Sequence, residues 1–274
     1  MKLKDRVAVV TGASGVLCSE MVRALADEGC KLALLNRHAE AAEALKVSLA
    51  ASGHRDVIVT SGDVLDRSSL ERARDRVLGE WGRIDILVNG AGGNNPLGTT
   101  KVEQLEKDTP RAEGFFGLDL AAFEGINRLN LMGTVIPSQV FGEAMVGKGG
   151  SILNVSSMNA TQPLTKVGGY SAAKASVENF TRWLAVHLAK VGVRVNAVSP
   201  GFFITEQNRF LMMEADGKTP TARGRKVLAK TPMGRFGDAK DLRGATVFLC
   251  SDEASFITGI VIPVDGGFLA YSGV

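Results

Sequence analysis

The sequence predicts an α/β fold, with one parallel sheet covered by helices on both faces, and three observations support this prediction. Short apolar segments rich in β-branched residues alternate with amphipathic helical patterns along the chain. Most of these segments are continuously apolar, which is typical of strands buried on both faces of a parallel sheet. No linker rich in Pro or Ser divides the 274 residues, so we expect a single domain over residues 1–274.

The strands are predicted at the short apolar runs. In chain order these runs are Val7–Val10, Leu32–Leu35, Val57–Thr60, Ile86–Val88, Ile152–Val155, Arg194–Val198 and Val261–Val264. Their alternation with helices predicts a doubly wound Rossmann fold with a seven-stranded parallel sheet. Sheets of this kind bind ligands at the carboxyl ends of their strands, so we expect the functional residues there.

The helices are predicted where apolar residues recur at helical spacing. In chain order these patterns cover about residues 18–28, 39–51, 67–80, 121–146, 170–190 and 239–250. Pro137 lies inside the fourth pattern and cannot bond to the carbonyl of Gly133. We therefore expect this helix to bend just beyond Asn130.

Two segments interrupt the alternation, at about residues 93–118 and 202–233. Each is longer than an ordinary connection between elements, and long loops are usually lids or binding loops, or else disordered. We interpret both as substrate loops.

Composition excludes several classes of protein. The formal net charge is +3 and the charged residues form no long runs, so neither a nucleic acid nor a membrane surface is expected as a partner. The three cysteines form no C-x-x-C pair and the three histidines lack ligand spacing, so we expect neither a disulfide framework nor a metal site. The N-terminus runs directly into a strand, and no apolar run is long enough to span a membrane, so we expect a cytoplasmic protein.

The turn after the first strand is rich in small residues. It reads Thr11-Gly12-Ala13-Ser14-Gly15-Val16-Leu17-Cys18 and leads into a helix. Small residues let the backbone approach a pyrophosphate, and the helix N-terminus adds N–H donors and a positive dipole. We therefore expect Gly12, Ser14, Gly15, Val16 and Leu17 to bind the phosphates of a dinucleotide, the alternative being a glycine turn without a ligand.

Three further strand ends carry candidate cofactor contacts. Asp63-Val64 could hold an adenine amine, and Asn89-Gly90-Ala91-Gly92 could line the floor of the cofactor site, although either could be an ordinary turn. The second strand ends in Asn36-Arg37, without the carboxylate that would bind a ribose 2′-hydroxyl and repel a 2′-phosphate. This favours NADP(H), with NAD(H) still possible if Arg37 is only a solvated surface residue.

Tyr170 and Lys174 lie four residues apart at the start of a helical pattern, so their side chains share one face. A free tyrosine has a pKa of about 10, and a neighbouring lysine charge favours the phenolate. Tyr170 is therefore a candidate general acid and base. Ser157, at the end of the fifth strand, could bind the substrate oxygen where charge develops. Asn130 could hold a water behind Lys174 through its amide or its carbonyl.

These residues together resemble the short-chain dehydrogenase/reductase family over nearly the whole chain. The matching motifs are Thr11-Gly12, Asp63, Asn89-Gly90-Ala91-Gly92, Asn130, Ser157, Tyr170, Lys174, Asn196, Pro200-Gly201 with Thr205, and Asp265-Gly266-Gly267. The resemblance implies a catalytic tetrad of Asn130, Ser157, Tyr170 and Lys174. It also implies that Tyr170 and Lys174 contact the cofactor, with Lys174 on the nicotinamide ribose, and that the nicotinamide is bordered by Pro200, Gly201, Phe203 and Thr205.

The resemblance further implies a homotetramer, with the helices at 121–146 and 170–190 and the C-terminal strand at interfaces. The glycine turn departs from the family pattern. Its middle glycine falls one place early, at Gly15, and Cys18 replaces the last glycine.

A narrower resemblance is to the D-mannonate oxidoreductase (fructuronate reductase) branch. It rests on Gly92-Gly93-Asn94-Asn95-Pro96, Ser156-Ser157-Met158-Asn159-Ala160, Pro200-Gly201-Phe202-Phe203 with Thr205-Glu206-Gln207-Asn208-Arg209, Thr231-Pro232-Met233-Gly234-Arg235-Phe236 and Ala270-Tyr271-Ser272-Gly273. A keto-uronate needs polar and cationic groups near Ser157 and Tyr170. The candidates are Asn94, Asn95, Asn159, Lys166, Asn208 and Arg209, of which Arg209 suits a carboxylate best.

Other functions stay open at this point. The resemblance is compatible with another polyol or sugar dehydrogenase or with a 3-oxoacyl thioester reductase. A non-catalytic nucleotide-binding regulatory protein would be a different class, and the intact Ser157, Tyr170 and Lys174 argue against it. A structural or nucleic-acid-binding protein has no supporting charge pattern.

Overall fold

The computed structural model describes residues 1–205 and 209–273. Within these ranges seven parallel strands form one sheet in the order β3-β2-β1-β4-β5-β6-β7, which confirms the predicted fold class. The strands are β1 Val7–Thr11, β2 Lys31–Asn36, β3 Val57–Ser61, β4 Ile86–Asn89, β5 Gly150–Val155, β6 Val193–Pro200 and β7 Val261–Val264. The order reverses between β1 and β4, where doubly wound sheets open a crevice for a ligand.

The helices agree with the predicted patterns to within a few residues at most ends. They are α1 Val16–Asp27, α2 Ala39–Ala51, α3 Arg67–Trp81, α4 Leu120–Asn127, α5 Gly133–Gly142, α6 Gly168–Leu188, α7 Arg209–Met212, α8 Ala222–Ala229 and α9 Arg243–Cys250. Local chemistry sets some of these ends: the Asp66 side chain accepts from Ser68 N at the start of α3, and Gly82 ends that helix with a φ of 73°. None of the described helices is long and apolar enough to cross a membrane.

The prediction of one helix over 121–146 is wrong in detail. A π-helical turn, Arg128–Met132, separates α4 from α5, and a 3₁₀ turn, Glu143–Met145, follows α5. The irregularity lies at Asn130 rather than beyond it, and Pro137 lies inside α5. The Asn130 amide donates to the Ile126 carbonyl, and the Thr134 hydroxyl donates to the Asn130 carbonyl. These side chains occupy carbonyls that helical N–H groups would otherwise bond, and π turns of this kind are frequent at functional sites.

The strands are continuously apolar because both faces of the sheet are covered. In β1, Ala8 and Val10 face the core that includes α1, α2 and α9, whereas Val7 and Val9 face the core that includes α3, α5 and α6. Phe141 of α5 is fully buried in the second core. Burying one such large apolar side chain stabilises the fold by roughly 1.5–3 kcal/mol.

The two long segments contain short helices, so neither is simply a loop. The segment 93–118 has 3₁₀ turns at Pro96–Gly98, Arg111–Glu113 and Phe115–Gly117, and the segment 202–233 carries α7 and α8. An ion pair of 3.6 Å between Glu103 and Lys226 connects the two segments. Both therefore lie on the same side of the molecule.

Candidate active site

The glycine turn after β1 contacts the loop after β4. Gly12 has a φ of +63°, and a Cβ added there would lie 3.0 Å from the backbone of Ala91. The Thr11 hydroxyl accepts hydrogen bonds from the N–H groups of Gly90 and Ala91, at 3.1 and 3.2 Å. Helix α1 begins after Gly15, and no side chain in the described ranges caps it. Small residues and uncapped N–H groups of this kind fit a pyrophosphate.

Cys18 accounts for the unusual end of the glycine turn. Its side chain is buried, and a Cβ added at Gly90 would overlap the Cys18 sulfur. The larger residue in α1 is thus accommodated because the facing loop has a glycine. Burial raises the pKa of the Cys18 thiol to about 11, so the thiol is neutral and unreactive near neutral pH.

Asn36 points back toward the glycine turn. Its Oδ1 accepts from Ser14 N at 3.3 Å, and its Nδ2 donates to Ser14 Oγ at 2.6 Å. The neighbouring Arg37 side chain is exposed, and no carboxylate in the described part of the chain pairs with it. The end of β2 therefore offers a free guanidinium beside the turn.

Of the other predicted cofactor contacts, some lie at the carboxyl edge of the sheet and one has its side chain in the core. Asp63 is half-buried, with its Oδ1 accepting from Leu65 N, and Val64 is buried beside Gly133. The Asn89 side chain, in contrast, lies in the core and donates to Ser138 and Asn154. Only the backbone of Asn89 is therefore available to contact a cofactor. The sequence did not indicate that its side chain is directed into the core.

The segment after β6 is held against β7. Gly201 N donates to the Val264 carbonyl at 2.9 Å, and a Cβ added at Gly201 would lie 2.7 Å from Asp265. Pro200 ends β6, Phe203 is buried against Gly237, and Thr205 is half-buried. This part of the predicted cofactor border lies at the carboxyl edge of the sheet.

Tyr170, Lys174 and Ser157 converge at the carboxyl end of β5. The Tyr170 hydroxyl lies close enough to the side chain of Ser157 for the two to interact. Lys174 lies one helical turn further along α6, with its Nζ 5.6 Å from the centre of the Tyr170 ring. This Nζ donates to the Val155 carbonyl at 2.8 Å, which orients the ammonium across the end of the strand.

The electrostatics of this cluster differ from the expectation. Burial raises the pKa of Tyr170, and the hydrogen bond from Ser157 partly opposes this rise. Burial also lowers the pKa of Lys174 to about 8. The expectation that the Lys174 charge lowers the pKa of Tyr170 is therefore not met, because burial has the largest effect on the pKa of this phenol.

Asn130 connects the cluster to the segment 93–118. Its Nδ2 donates to the Gly93 carbonyl at 2.7 Å, and its Oδ1 accepts from Gly93 N at 3.2 Å. A Cβ added at Gly92 would lie 2.6 Å from this Oδ1 and 3.4 Å from the Lys174 Nζ. The amide therefore orients the loop beside Lys174, and a water held by Asn130 stays a prediction.

The predicted substrate residues have different surroundings. Asn159 is buried, donates its N–H to Ser157 Oγ, and has an Oδ1 without a partner among the described residues. Lys166 has a φ of 73°, and its carbonyl accepts from Thr100 N. Asn95 caps a 3₁₀ turn, whereas Asn94 and Arg209 are exposed. Asn208 lies outside the described residues.

Sequence reasoning missed Glu178. This buried carboxylate accepts from Ser156 Oγ at 2.9 Å and so holds the residue immediately before Ser157. Tyr170, Lys174 and Glu178 follow each other at intervals of four in α6 and share one helix face. Extending that spacing by one turn would have identified Glu178.

Comparison with known proteins identifies relatives that match nearly the whole chain. A family model described as enoyl-(acyl carrier protein) reductase matches residues 12–269. The uncharacterised oxidoreductase UxuB of Bacillus subtilis (strain 168) is 50% identical over 274 residues, covering 99% of this chain and 98% of that protein.

Two solved structures are also similar. A candidate D-mannonate oxidoreductase from Haemophilus influenzae, with bound NAD, is 43% identical and superposes with a TM-score of 0.94 over 100% of this chain and 98% of its own. A gluconate 5-dehydrogenase from Burkholderia cenocepacia, in complex with NADP and tartrate, is 27% identical, with a TM-score of 0.84 over 98% of this chain and 97% of its own.

The fold and these relatives define an oxidoreductase that acts on alcohol groups with a nicotinamide cofactor. The chain belongs to the short-chain dehydrogenase/reductase family.

Proposed function

We propose that this protein transfers a hydride between a nicotinamide cofactor and a sugar acid, specifically D-fructuronate and D-mannonate. The observation that carries the proposal is the cluster at the carboxyl edge of the sheet. There Tyr170 lies close to the side chain of Ser157 and one helical turn from Lys174. The sugar-acid substrate is supported by the similarity to a candidate D-mannonate oxidoreductase and to a gluconate 5-dehydrogenase.

Each residue of the cluster has its own part in the proposed reaction. The bound nicotinamide supplies or accepts the hydride. Ser157 donates a hydrogen bond to the substrate oxygen, where negative charge develops during reduction. Tyr170 delivers a proton to that oxygen, and its phenolate removes the proton in the reverse direction. Lys174 holds the nicotinamide ribose, while Asn130 fixes the loop at Gly93.

The residues at the carboxyl edge fit a dinucleotide, because the glycines leave room for it and the N–H groups of α1 are uncapped. In the proposal the phosphates lie on the glycine turn, the adenine beside Asp63 and Val64, and the nicotinamide between the loop after β4 and the segment after β6. The contributing residues are Gly12, Ser14, Gly15, Val16, Leu17, Asn36, Arg37, Asp63, Val64, Asn89, Gly90, Ala91, Gly92, Tyr170, Lys174, Pro200, Gly201, Phe203 and Thr205.

We propose NADP(H) as the preferred cofactor. The exposed Arg37 is free to receive a 2′-phosphate, and Asn36 carries no charge to repel it. NAD(H) is the alternative, supported by the NAD bound to the Haemophilus influenzae relative.

The polar residues around the cluster are proposed to bind the sugar acid. Asn159 has a buried Oδ1 that can accept from a substrate hydroxyl. Lys166 lies on the connection between Ser157 and Tyr170 and can reach an anionic group. Asn94, Asn95 and Arg209 lie on the two long segments and would contact the substrate if these segments close over it.

A 3-oxoacyl thioester reductase is a second candidate. The observation in its favour is the basic character of α8, because an acyl carrier protein is acidic and needs a basic docking surface. The cations of α8 and the residue that follows it are Arg223, Arg225, Lys226 and Lys230.

A substrate panel with both cofactors tests the proposed function. The expected result is that D-fructuronate reduction with NADPH has the highest kcat/KM among uronates, ketoses, polyols and acetoacetyl thioesters. Faster turnover of the thioester would favour the second candidate. Nucleotide binding without turnover of any compound would indicate a regulatory protein.

We also propose that the protein assembles as a homotetramer. The outer face of α6 exposes Trp183 by 58% and Val186 by 80%, and β7 pairs with β6 alone among the described strands. An unpaired edge and an exposed apolar helix face both favour association. Light scattering on the purified protein measures the assembly, and a monomer would contradict the proposal.

A further inference from the structure

A cavity of about 500 Å³ lies between α8 and the connection that follows Ser157. One wall is the segment Gln162–Thr165, and apolar side chains of Phe202 and Phe268 form another, with their rings packed edge to face at 5.4 Å. The opposite wall is α8. The cavity is therefore concave and partly apolar, two features that small-molecule sites usually have.

The charges that line this cavity do not balance. Arg223, Lys226 and Lys230 line it, while Glu103 is the one acid among its lining residues. Glu103 pairs with Lys226 at 3.6 Å, which leaves the other two cations without a carboxylate. The cavity therefore has a net positive charge and is complementary to an anion.

Arg223 differs from the other cations of α8 in its surroundings. Its side chain is half-buried, and within the described ranges its guanidinium has neither an ion pair nor a hydrogen bond. A guanidinium at the wall of a cavity, without a partner among the described residues, is available to bind an anion such as a carboxylate. Arg225, in contrast, is exposed and donates to the Pro220 carbonyl at 2.8 Å.

Two walls of the cavity belong to segments that lead directly into the proposed active site. Ser157 caps the 3₁₀ turn Met158–Ala160, and Gln162 N donates back to the Met158 carbonyl at 2.9 Å. The wall Gln162–Thr165 then leads to α6, which carries Tyr170. Phe202 follows directly after Gly201, at the proposed border of the nicotinamide. A ligand in the cavity would therefore contact the segments that lead to Ser157, Tyr170 and Gly201.

We propose that Arg223 binds the carboxylate of the substrate in this cavity, so that the site selects polyhydroxy acids over neutral polyols. This inference rests on the proposed function and replaces Arg209, which is exposed, as the main carboxylate contact. The planar guanidinium can bind a carboxylate through two parallel hydrogen bonds, and the apolar wall of Phe202 and Phe268 limits competing water. Lys230 lies at the exposed rim and attracts the anion without a fixed contact.

The test compares an acid and a neutral substrate of the same carbon skeleton, D-mannonate and D-mannitol, in oxidation by the holoenzyme. We expect Arg223→Ala to lower kcat/KM for D-mannonate roughly ten- to hundredfold, the usual effect of a charge-assisted bidentate contact. The loss on D-mannitol should be less than about threefold. Arg225→Ala removes the same charge from the same helix outside the cavity and should change neither value by more than about threefold. Arg223→Gln, which keeps most of the side chain, gives the same comparison if the alanine variant fails to fold.

Equal losses on both substrates, or no loss on D-mannonate, would overturn the inference while leaving the proposed function intact. Calorimetric binding of D-mannonate to the protein saturated with oxidised cofactor provides a readout without turnover. Wild-type and Arg225→Ala proteins should bind it, and Arg223→Ala should bind it at least tenfold more weakly. If D-mannonate is bound in this way but not oxidised, the proposed reaction fails and the anion site stands. If the wild type does not bind D-mannonate, the anion site is excluded.

Discussion

The sulfur of Cys18 occupies the space that a side chain at Gly90 would require. Cys18 lies in the first turn of α1 and Gly90 in the loop after β4, so the two residues lie beside the proposed pyrophosphate site. Where the family pattern has a glycine, this chain has the larger Cys18, and the facing Gly90 leaves room for its sulfur. Substitutions at the two positions should therefore be coupled.

We predict that Gly90→Ala weakens cofactor binding and stability, because its Cβ would displace the Cys18 side chain and the Thr11 carbonyl. Overpacking of this kind usually costs about 1–3 kcal/mol. Cys18→Ala alone should be milder, and the double variant should recover part of the loss, with an interaction energy of at least about 0.5 kcal/mol. Chemical denaturation and cofactor titration of all four proteins measure this coupling. Additive effects would mean that the two side chains do not compete for space.

We predict that Tyr170→Phe abolishes turnover while cofactor binding stays nearly unchanged. The ring still packs in the site, and only the proton route is lost. General acid–base groups contribute roughly 10²–10⁴-fold to the rate. Steady-state kinetics and cofactor titration of the purified variant test this. Retention of more than about a tenth of the wild-type kcat would contradict the assignment of Tyr170.

We predict that Asn36→Asp shifts the cofactor preference toward NAD(H). The introduced carboxylate would repel a 2′-phosphate and accept a hydrogen bond from the ribose 2′-hydroxyl. The substitution would also remove the hydrogen bond that Asn36 Nδ2 donates to Ser14 Oγ. We therefore expect some loss of affinity for both cofactors. The decisive quantity is the ratio of kcat/KM for NADP(H) and NAD(H). A wild type that already prefers NAD(H) strongly would disprove the proposed role of Arg37.

We predict that Lys166→Gly and Lys166→Ala separate backbone strain from side-chain function. Lys166 has a φ of 73°, a conformation that costs an L-residue about 1–2 kcal/mol relative to glycine. The glycine variant should therefore be at least as stable as the alanine variant. Both should lose affinity for a sugar acid if the ammonium contacts the substrate. Melting temperatures and kinetics on D-mannonate test both points, and full activity of the glycine variant would remove Lys166 from the substrate site.

The buried Lys174 predicts a pH dependence of stability. Burial lowers its pKa from the ordinary value of 10.5 to about 8, so between these pH values the unfolded chain binds the proton and the folded protein does not. The contribution of Lys174 to the free energy of unfolding should therefore rise from pH 8 toward pH 10.5. The Lys174→Met variant lacks this contribution. The free energy of unfolding of the wild type, minus that of the variant, should therefore increase over that pH range. A difference that stays constant with pH would show that Lys174 is not desolvated.

The sequence by itself determined the sheet, the order of its elements and the Tyr170–Lys174 pair. These depend on short-range patterns: continuous apolar runs in the strands, helical spacing of apolar residues, and an interval of four residues in α6. The position of strand ends on one edge of a parallel sheet follows from topology alone. For this reason the sequence alone predicts a common site for the glycine turn, Asp63 and Ser157.

The tertiary structure decided which side chains face the site and which face the core. Asn89 bonds to Ser138 and Asn154, Asn36 turns toward Ser14, and Arg223 faces a cavity, although none of these orientations has a local sequence signal. Each depends on contacts between segments far apart in the chain, where a polar group bonds to whichever partner packing brings within reach. Burial, which raises the pKa of Tyr170 and lowers that of Lys174, arises from the same long-range packing.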